Sequence, residues 1–399
     1  MKEGRKSAVS SLPRTVLVLG AVSFFNDLSS EMIYPLLPVF LSTVLGAGAL
    51  SLGIIEGAAE SASSLLKLGF GLLADRLGNR KPLILSGYLL SGAVRPLIGL
   101  ASAWPFVLAM RLADRAGKGV RTSPRDALLA ESADPLHLGR AFGFQRAMDH
   151  AGGMAGPLAA AALLSLAGLE MRTVFLLAAV PAVVTVALIL WGVREPKSEP
   201  PAKEEKTAAA PVSGGTPPLG RNFSIFVGAV FLFALANSTD AFILWRLSEA
   251  GWGASGIAFL WAVHHAVKSG AAFAGGRMAD RLGKKPMVIG GWVLYAVAYA
   301  CMGLTSDRWT LAALFLAYGL YYGMAEPSEK AWVADLAPPR ARGAAYGWYN
   351  LALGVGALPA SIVFGAVYAG LGPATAFLIA SGLALAAACL LPLVRTAGR

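Results

Sequence analysis

The chain has 399 residues, of which 56% are hydrophobic and only 14% charged, with a formal net charge of +11. Soluble globular domains carry about 25% charged residues, so this balance excludes an ordinary soluble enzyme and points to a membrane protein. Much of the positive charge lies in short loops between apolar runs, where it sets membrane orientation and argues against a nucleic-acid partner.

The N-terminal stretch MKEGRKSAVSSLPR is basic and has no small-residue cleavage site after a short apolar core. It reads as a cytoplasmic tail, not as a removed signal peptide. A spanning helix needs about 20 mostly apolar residues. Six such runs follow, at 15–44, 52–74, 83–100, 105–130, 141–167 and 173–193. The stretch 194–220, REPKSEPPAKEEKTAAAPVSGGTPPLG, cannot build a core and reads as a flexible cytoplasmic linker, or alternatively as a regulatory segment. Six more runs occupy 223–248, 255–279, 287–304, 310–334, 343–369 and 374–394. The expected fold is therefore an all-α membrane protein. Twelve transmembrane helices would form two six-helix bundles, 1–193 and 221–399, related by internal pseudo-symmetry.

Basic residues orient it. With the N-terminus inside, the inner segments hold Lys2, Arg5, Lys6, Arg14, Arg76, Arg80, Lys81, Arg140, Arg281, Lys284, Lys285, Arg340, Arg342 and Arg395. The outer loops hold essentially Arg172 and Arg308. Both termini are then cytoplasmic and the protein is multi-pass in the cell's cytoplasmic (inner) membrane. Cys301 and Cys389 lie within apolar runs, which argues against a disulfide framework or a thiolate metal site.

Ionisable side chains at bilayer depth are expensive and are functional candidates by default. In the first run Asp27, Glu31 and Tyr34 fall on one helical face, near Pro35 and Pro38, which can bend the helix. In the second run Glu56, Glu60, Ser63 and Lys67 form another stripe. Asp27, Glu31, Glu56 and Glu60 are the candidate proton-coupling acids, Glu60 being favoured over Glu56 because the latter sits nearer the outer end. The alternative for each is a permanent ion pair. Arg95 in the third run is a candidate partner for such an acid. The fourth run carries Arg111, Asp114, Arg115, Lys118 and Arg125 along roughly one face, with Arg121 beside it. These cations read either as an anion-attracting cavity wall or as a lattice in which Arg121 or Arg125 pairs with Asp75 or Asp126 at a cytoplasmic gate. The fifth run offers Arg146, Asp149 and His150. In the second half, Asn237 and Asp240 share a face, as do Trp261, His265 and Lys268, while Glu326 lies beside Tyr321 and Tyr322. Tyr34, Arg95, Asp114, Arg115, Lys118, Arg146, Asp149, His150, Asn237, Asp240, His265, Lys268 and Glu326 are the candidate cavity residues. His264 and His265 point to different faces, so a two-histidine metal site is not expected.

Two features show duplication. GLLADRLGNRKP (71–82) recurs as GRMADRLGKKP (276–286), and 119–144 aligns without gaps on 323–348. At these residues the chain resembles the major facilitator superfamily over essentially its whole length. Gly71, Asp75, Arg76, Gly78, Arg80 and Lys81 are similar to that family's loop signature, repeated at Gly276, Asp280, Arg281, Gly283, Lys284 and Lys285. The resemblance implies two six-helix halves that rock about a central site. It also implies a cytoplasmic gate comprising Gly71, Asp75, Arg76, Arg80, Arg121, Arg125, Asp280 and Arg281. Gly152, Gly156 and Pro157 in GGMAGP (152–157) resemble the bend motif of drug/proton antiporters, with Ala160 and Ala161 where a glycine pair usually follows. The implied function is proton-coupled efflux of a small organic molecule by alternating access. Proton-coupled uptake of a small organic anion, or a non-transporting receptor of the same fold, is the alternative. No HExxH, GxSxG or GxxxxGK[ST] is present, so no enzyme, cofactor or intrinsic ATPase is expected. Expected partners are the substrate, protons and the lipid bilayer, with the monomer as the working unit.

Overall fold

The computed structural model describes residues 12–76, 80–133, 138–193, 219–338 and 342–395, with side chains other than those of 64, 67–76, 127, 130, 138–140, 143, 273, 276, 277, 280 and 342–344. Among the described residues all regular structure is helical. In the first half it comprises α1 (Arg14–Glu31), α2 (Leu37–Val39), α3 (Ala49–Arg76), α4 (Lys81–Leu97), α5 (Trp104–Ser132), α6 (Leu138–Ser165), α7 (Met171–Leu177) and α8 (Ala179–Gly192). In the second half it comprises α9 (Arg221–Ala236), α10 (Ala241–Glu249), α11 (Ala254–Leu282), α12 (Lys284–Leu304), α13 (Arg308–Leu336) and α14 (Arg342–Leu390).

The breaks have local causes. Pro35 and Pro38 lack the backbone N–H a helix needs, and α1 gives way there to a 3-10 turn, Tyr34–Leu36, then α2 and a π turn, Phe40–Val44. Gly372, at φ 86, followed by Pro373, divides α14 where the sequence places a loop between its last two runs. The seventh run, expected as one helix over 223–248, is instead two, α9 and α10, with Asn237–Asp240 unwound between them. Asn, Ser, Thr and Asp hydrogen-bond locally and favour caps over helix interiors, and four stand here in succession.

Six stretches among the described residues are long and apolar enough to cross a membrane: Arg14–Val44, Lys81–Leu100, Met171–Gly192, Arg221–Glu249, Lys284–Leu304 and Ala345–Leu393. Between them stand α3, α5, α6, α11 and α13, each of 28 or 29 residues and each carrying acids and bases along its length.

The helices form two compact units. One contains Met1–Tyr34, Leu65–Ala101 and Ala109–Ala202; the other contains Pro35–Ser64, Ser102–Leu108 and Lys203–Arg399. Residues 35–64 and 102–108 of the first half thus belong to the second unit, so packing and chain order divide the molecule differently. In the first unit α1 lies along α6 and α8, and α4 along α8. In the second, α14 packs on α9 and α12, and α13 on α11 and α12. There too Gly53 and Gly57 of α3 back onto Ser361 and Leu358 of α14, too closely for a side chain.

The duplicated motif does duplicated work. Arg80 pairs with Glu131 near the end of α5, and Lys284, its counterpart, pairs with Asp335 near the end of α13. Lys81 donates to the carbonyls of Leu190 and Val193 at 3.0 and 2.8 Å, at the C-terminal end of α8. Lys285 donates to Pro392 and Val394, both at 3.0 Å. A cation at a helix C-terminus satisfies carbonyls that have no partner within the helix.

Candidate functional site

In the first unit an ionic cluster joins α1, α4 and α5. Arg95 is 5% exposed and Asp114 1%. Arg95 Nε donates to Asp114 Oδ1 at 2.8 Å, and its Nη1 donates to the Asn26 carbonyl and side-chain oxygens at 3.1 and 3.0 Å. Arg111 adds a longer pair to Asp114, 3.7 Å, and stacks over Tyr34 with its guanidinium 5.6 Å from the ring centroid. Arg121 reaches Ser91, the Gly87 carbonyl and Asn26, and lies over the Tyr88 ring at 4.6 Å. Gly87 makes this possible, because a Cβ there would stand 2.7 Å from that of Arg121.

The cluster sorts the candidates on α5. Arg121, a gate candidate, is built into this buried lattice. Arg125 pairs with its neighbour Asp126 at 2.8 Å, one of the two partners expected for it. Arg115 and Lys118 are half-buried. Gly71, Asp75 and Arg76 fall in the last turns of α3 and Asp280 in α11, and their side chains lie outside those described. Arg281 is exposed.

A second cluster joins α1 and α6. Asp27 accepts from Asn26 Nδ2 at 2.8 Å. Asp149 accepts from Gln145 Nε2 at 3.0 and 3.1 Å, and the same amide donates to Ser23 Oγ of α1 at 3.0 Å. Arg146 is exposed and reaches Asp149 only at 3.8 Å. The charges of Asp27 and Arg125 both act on Asp149. Gly152 and Gly156 bring the helices together: a Cβ at Gly152 would run into the Phe24 carbonyl and come within 3.1 Å of Asp27 Cβ. At Gly156 it would meet the Leu28 carbonyl at 2.6 Å and Glu31 Cβ at 3.0 Å. Pro157 follows within the continuous α6, and the two glycines of the motif give the close packing. His150 and Glu31 are half-buried. Glu56 is 5% exposed, whereas Glu60 is exposed, the reverse of the order that favoured Glu60.

The second unit is built of tyrosine. Asp240 accepts from Tyr318 Oη at 2.8 Å and from Tyr322 Oη at 2.9 and 3.1 Å. Lys268 places its ammonium 3.5 Å from the Tyr322 ring centroid, a cation–π contact. Asn237 caps the end of α9, and His265 stands edge-on to Trp261. Glu326 pairs with Lys330 at 2.7 Å where both side chains are about half exposed, and the buried acid is Glu329. It accepts from Trp292 Nε1 and Tyr349 Oη, both at 2.8 Å. Asn26, Ser91, Gln145 and Glu329 were not singled out from sequence. Asn26 beside Asp27, and Glu329 aligned on Arg125 across the duplication, were the available signals. Among the described residues no group of three or more His, Cys, Asp or Glu could hold a metal ion.

The profile described as Major Facilitator Superfamily matches residues 19–267 and 225–398. An MFS-type transporter of Methanocaldococcus jannaschii is 31% identical over 389 residues, covering 95% of this chain and 94% of its own. Multidrug resistance protein MdtG of Citrobacter koseri is 25% identical, over 93% of this chain and 92% of its own. Among solved structures, a POT family transporter superposes with TM-score 0.79 at 13% identity, over 97% of this chain and 99% of its own. The nucleoside transporter NupG gives 0.76 at 15%, over 95% and 98%. The helical fold, the doubled loop signature with its doubled bonds, and a profile match running nearly end to end agree: this chain belongs to the Major Facilitator Superfamily.

Proposed function

We propose that the protein is a secondary active transporter that exports a small organic molecule from the cytoplasm in exchange for protons. Its twelve helices form two six-helix halves on either side of the 194–220 linker, with both termini cytoplasmic, and alternate access between them as a monomer. The carrying observation is the close packing of α1 on α6 at Gly152, which brings the Asp27 and Asp149 carboxylates within electrostatic reach of one another, with Arg125 and Arg146 as the cations acting on Asp149. Two acids sharing one region disfavour double ionisation, which suits a site that takes up and releases a proton. The pair joins Asp27, one of the four candidate coupling acids, to Asp149, a cavity candidate of the fifth run. The multidrug resistance names of several relatives support export.

The test uses inside-out vesicles with an acid interior. Exchange predicts that substrate accumulates inside as protons leave. Asp27→Asn and Asp149→Asn are expected to retain substrate binding while losing most of the gradient-driven accumulation. Full accumulation in both variants would remove the pair from the mechanism. A second reading, uptake of an organic anion with protons, draws on Arg111, Arg115 and Lys118 of α5, since guanidinium forks suit carboxylates. It predicts depletion of the vesicle interior under the same gradient. Binding with no flux in either direction would instead favour a receptor.

A further inference from the structure

The unwound segment Asn237–Asp240 interrupts an otherwise apolar stretch, Arg221–Glu249, that is long enough to cross a membrane. Irregular backbone at such depth is tolerated only where protein or a polar site takes up its hydrogen-bonding groups, and broken helices are where transporters hold small cations. Here the Ala236 carbonyl at the end of α9 receives Tyr295 Oη at 2.9 Å. Asp240, at the start of α10, does not cap that helix with its side chain. It is 9% exposed, has no ion-pair partner among the described residues, and is held by the two phenols of α13. Two buried hydroxyls nearby, Ser238 Oγ and Tyr299 Oη, lie within hydrogen-bonding reach of one another, and neither is taken up by a well-aligned hydrogen bond among the described residues. Tyr299 lies within electrostatic reach of Asp240, and its ring centroid is 5.7 Å from that of Tyr318.

The duplication says what is different about this place. Carrying its register (Arg80 on Lys284, Gly119 on Gly323) along the chain sets Tyr299 opposite Arg95, Tyr318 opposite Asp114 and Ala325 opposite Arg121. The first unit carries its own cations into its buried carboxylate. The second has neutral residues at both arginine positions, and its fixed cation, Lys268, lies on the Tyr322 ring with no ion pair to Asp240 among the described residues, which leaves the carboxylate open to a cation that arrives. Burial limits the size of that cation: Tyr299 and Tyr318 are 0% exposed and Ser238 3%. The donors are all oxygen, which suits a hard ion.

We propose that Asp240, Ser238 and Tyr299, at the break between α9 and α10, form a binding site for a sodium ion. The other groups facing it are Tyr318 and Tyr322 of α13, Tyr295 of α12, and His264 and Lys268 of α11. His264 Nδ1 is engaged with the Phe315 carbonyl at 3.0 Å. Lys268 is the fixed positive charge on this face, and it opposes the ion. The site adds a second ion to the proposed transport cycle and does not rest on it, because binding is measured without flux.

The experiment takes the purified full chain in detergent and titrates sodium chloride against choline chloride at constant ionic strength. Thermal unfolding is followed alongside retention of radioactive sodium. A saturable rise in the unfolding midpoint is expected with sodium and not with choline, because a ligand bound only by the native state stabilises it. Asp240→Asn should abolish both signals. Ser238→Ala and Tyr299→Phe should raise the half-saturating sodium concentration about tenfold, and Lys268→Gln should lower it. Identical curves in sodium and choline, or a midpoint that follows pH and ignores sodium, would overturn the proposal. If Asp240→Asn does not fold, Tyr299→Phe still decides, since it removes a single hydroxyl and keeps the packed ring. Unchanged sodium dependence in both Tyr299→Phe and Ser238→Ala would overturn the site.

Discussion

At the scale of single residues, the sharpest contrast lies between acids that are a few positions apart. Asp114 is buried among guanidinium groups, with Arg95 at 2.8 Å and Arg111 at 3.7 Å. Removing one partner of a buried pair strands the other, which costs about 3–5 kcal/mol. Asp114→Asn should therefore lower the thermal unfolding midpoint sharply, and Arg95→Met combined with Asp114→Leu should recover part of the loss. A midpoint unchanged in Asp114→Asn would mean that the cluster is hydrated and structurally idle. Glu326 and Glu329 make the same contrast on one helix. Glu326→Gln removes a half-exposed pair with Lys330, worth about 0–1 kcal/mol. Glu329→Ala leaves the Trp292 indole N–H and the Tyr349 hydroxyl without their acceptor, at about 1–3 kcal/mol each. The sequence presents both acids in one apolar run, and helical spacing alone does not say which of them meets an indole from α12 and a phenol from α14. Partners brought from distant helices are what a linear reading lacks.

At the scale of elements, glycine decides how near two helices come. Gly152 and Gly156 sit one turn apart on α6 and face the carbonyls of Phe24 and Leu28 on α1. Gly152→Leu would have to part these helices, and overpacking of this kind costs about 1–3 kcal/mol. It should also separate Asp27 from Asp149, so coupling to the pH gradient should fall further than substrate binding does. Gly228→Ala on α9, where a Cβ meets nothing within 4 Å, is the matched control and should be neutral or slightly stabilising. Retained coupling in a folded Gly152→Leu protein would show that the approach of α1 and α6 is not needed. The helices themselves are legible in the sequence because long apolar runs leave the backbone no other way to satisfy its hydrogen bonds. The break at Asn237–Asp240 is harder to read, because its two flanks continue the same apolar run and neither Gly nor Pro marks it. Its signal is weaker and of another kind, four consecutive residues whose side chains compete for backbone groups.

At the scale of the whole molecule, the duplication is a statement about energetics as well as ancestry. Lys81 and Lys285 occupy matching places in the two copies and make the same kind of bonds, each to carbonyls at or just beyond the C-terminal end of a helix in its own unit. Their partners were not readable from the loop motif, which lies more than a hundred residues away in sequence. A cation at a helix C-terminus contributes about 0.3–1 kcal/mol. Lys81→Ala and Lys285→Ala should thus each lower the unfolding midpoint by a similar small amount. They share no partner, so the double variant should equal the sum of the singles to within about 0.5 kcal/mol. A larger loss in the double variant, measured by the same thermal unfolding, would mean that the two copies stabilise one another through these ends. Additivity would mean that each copy is held by its own bonds.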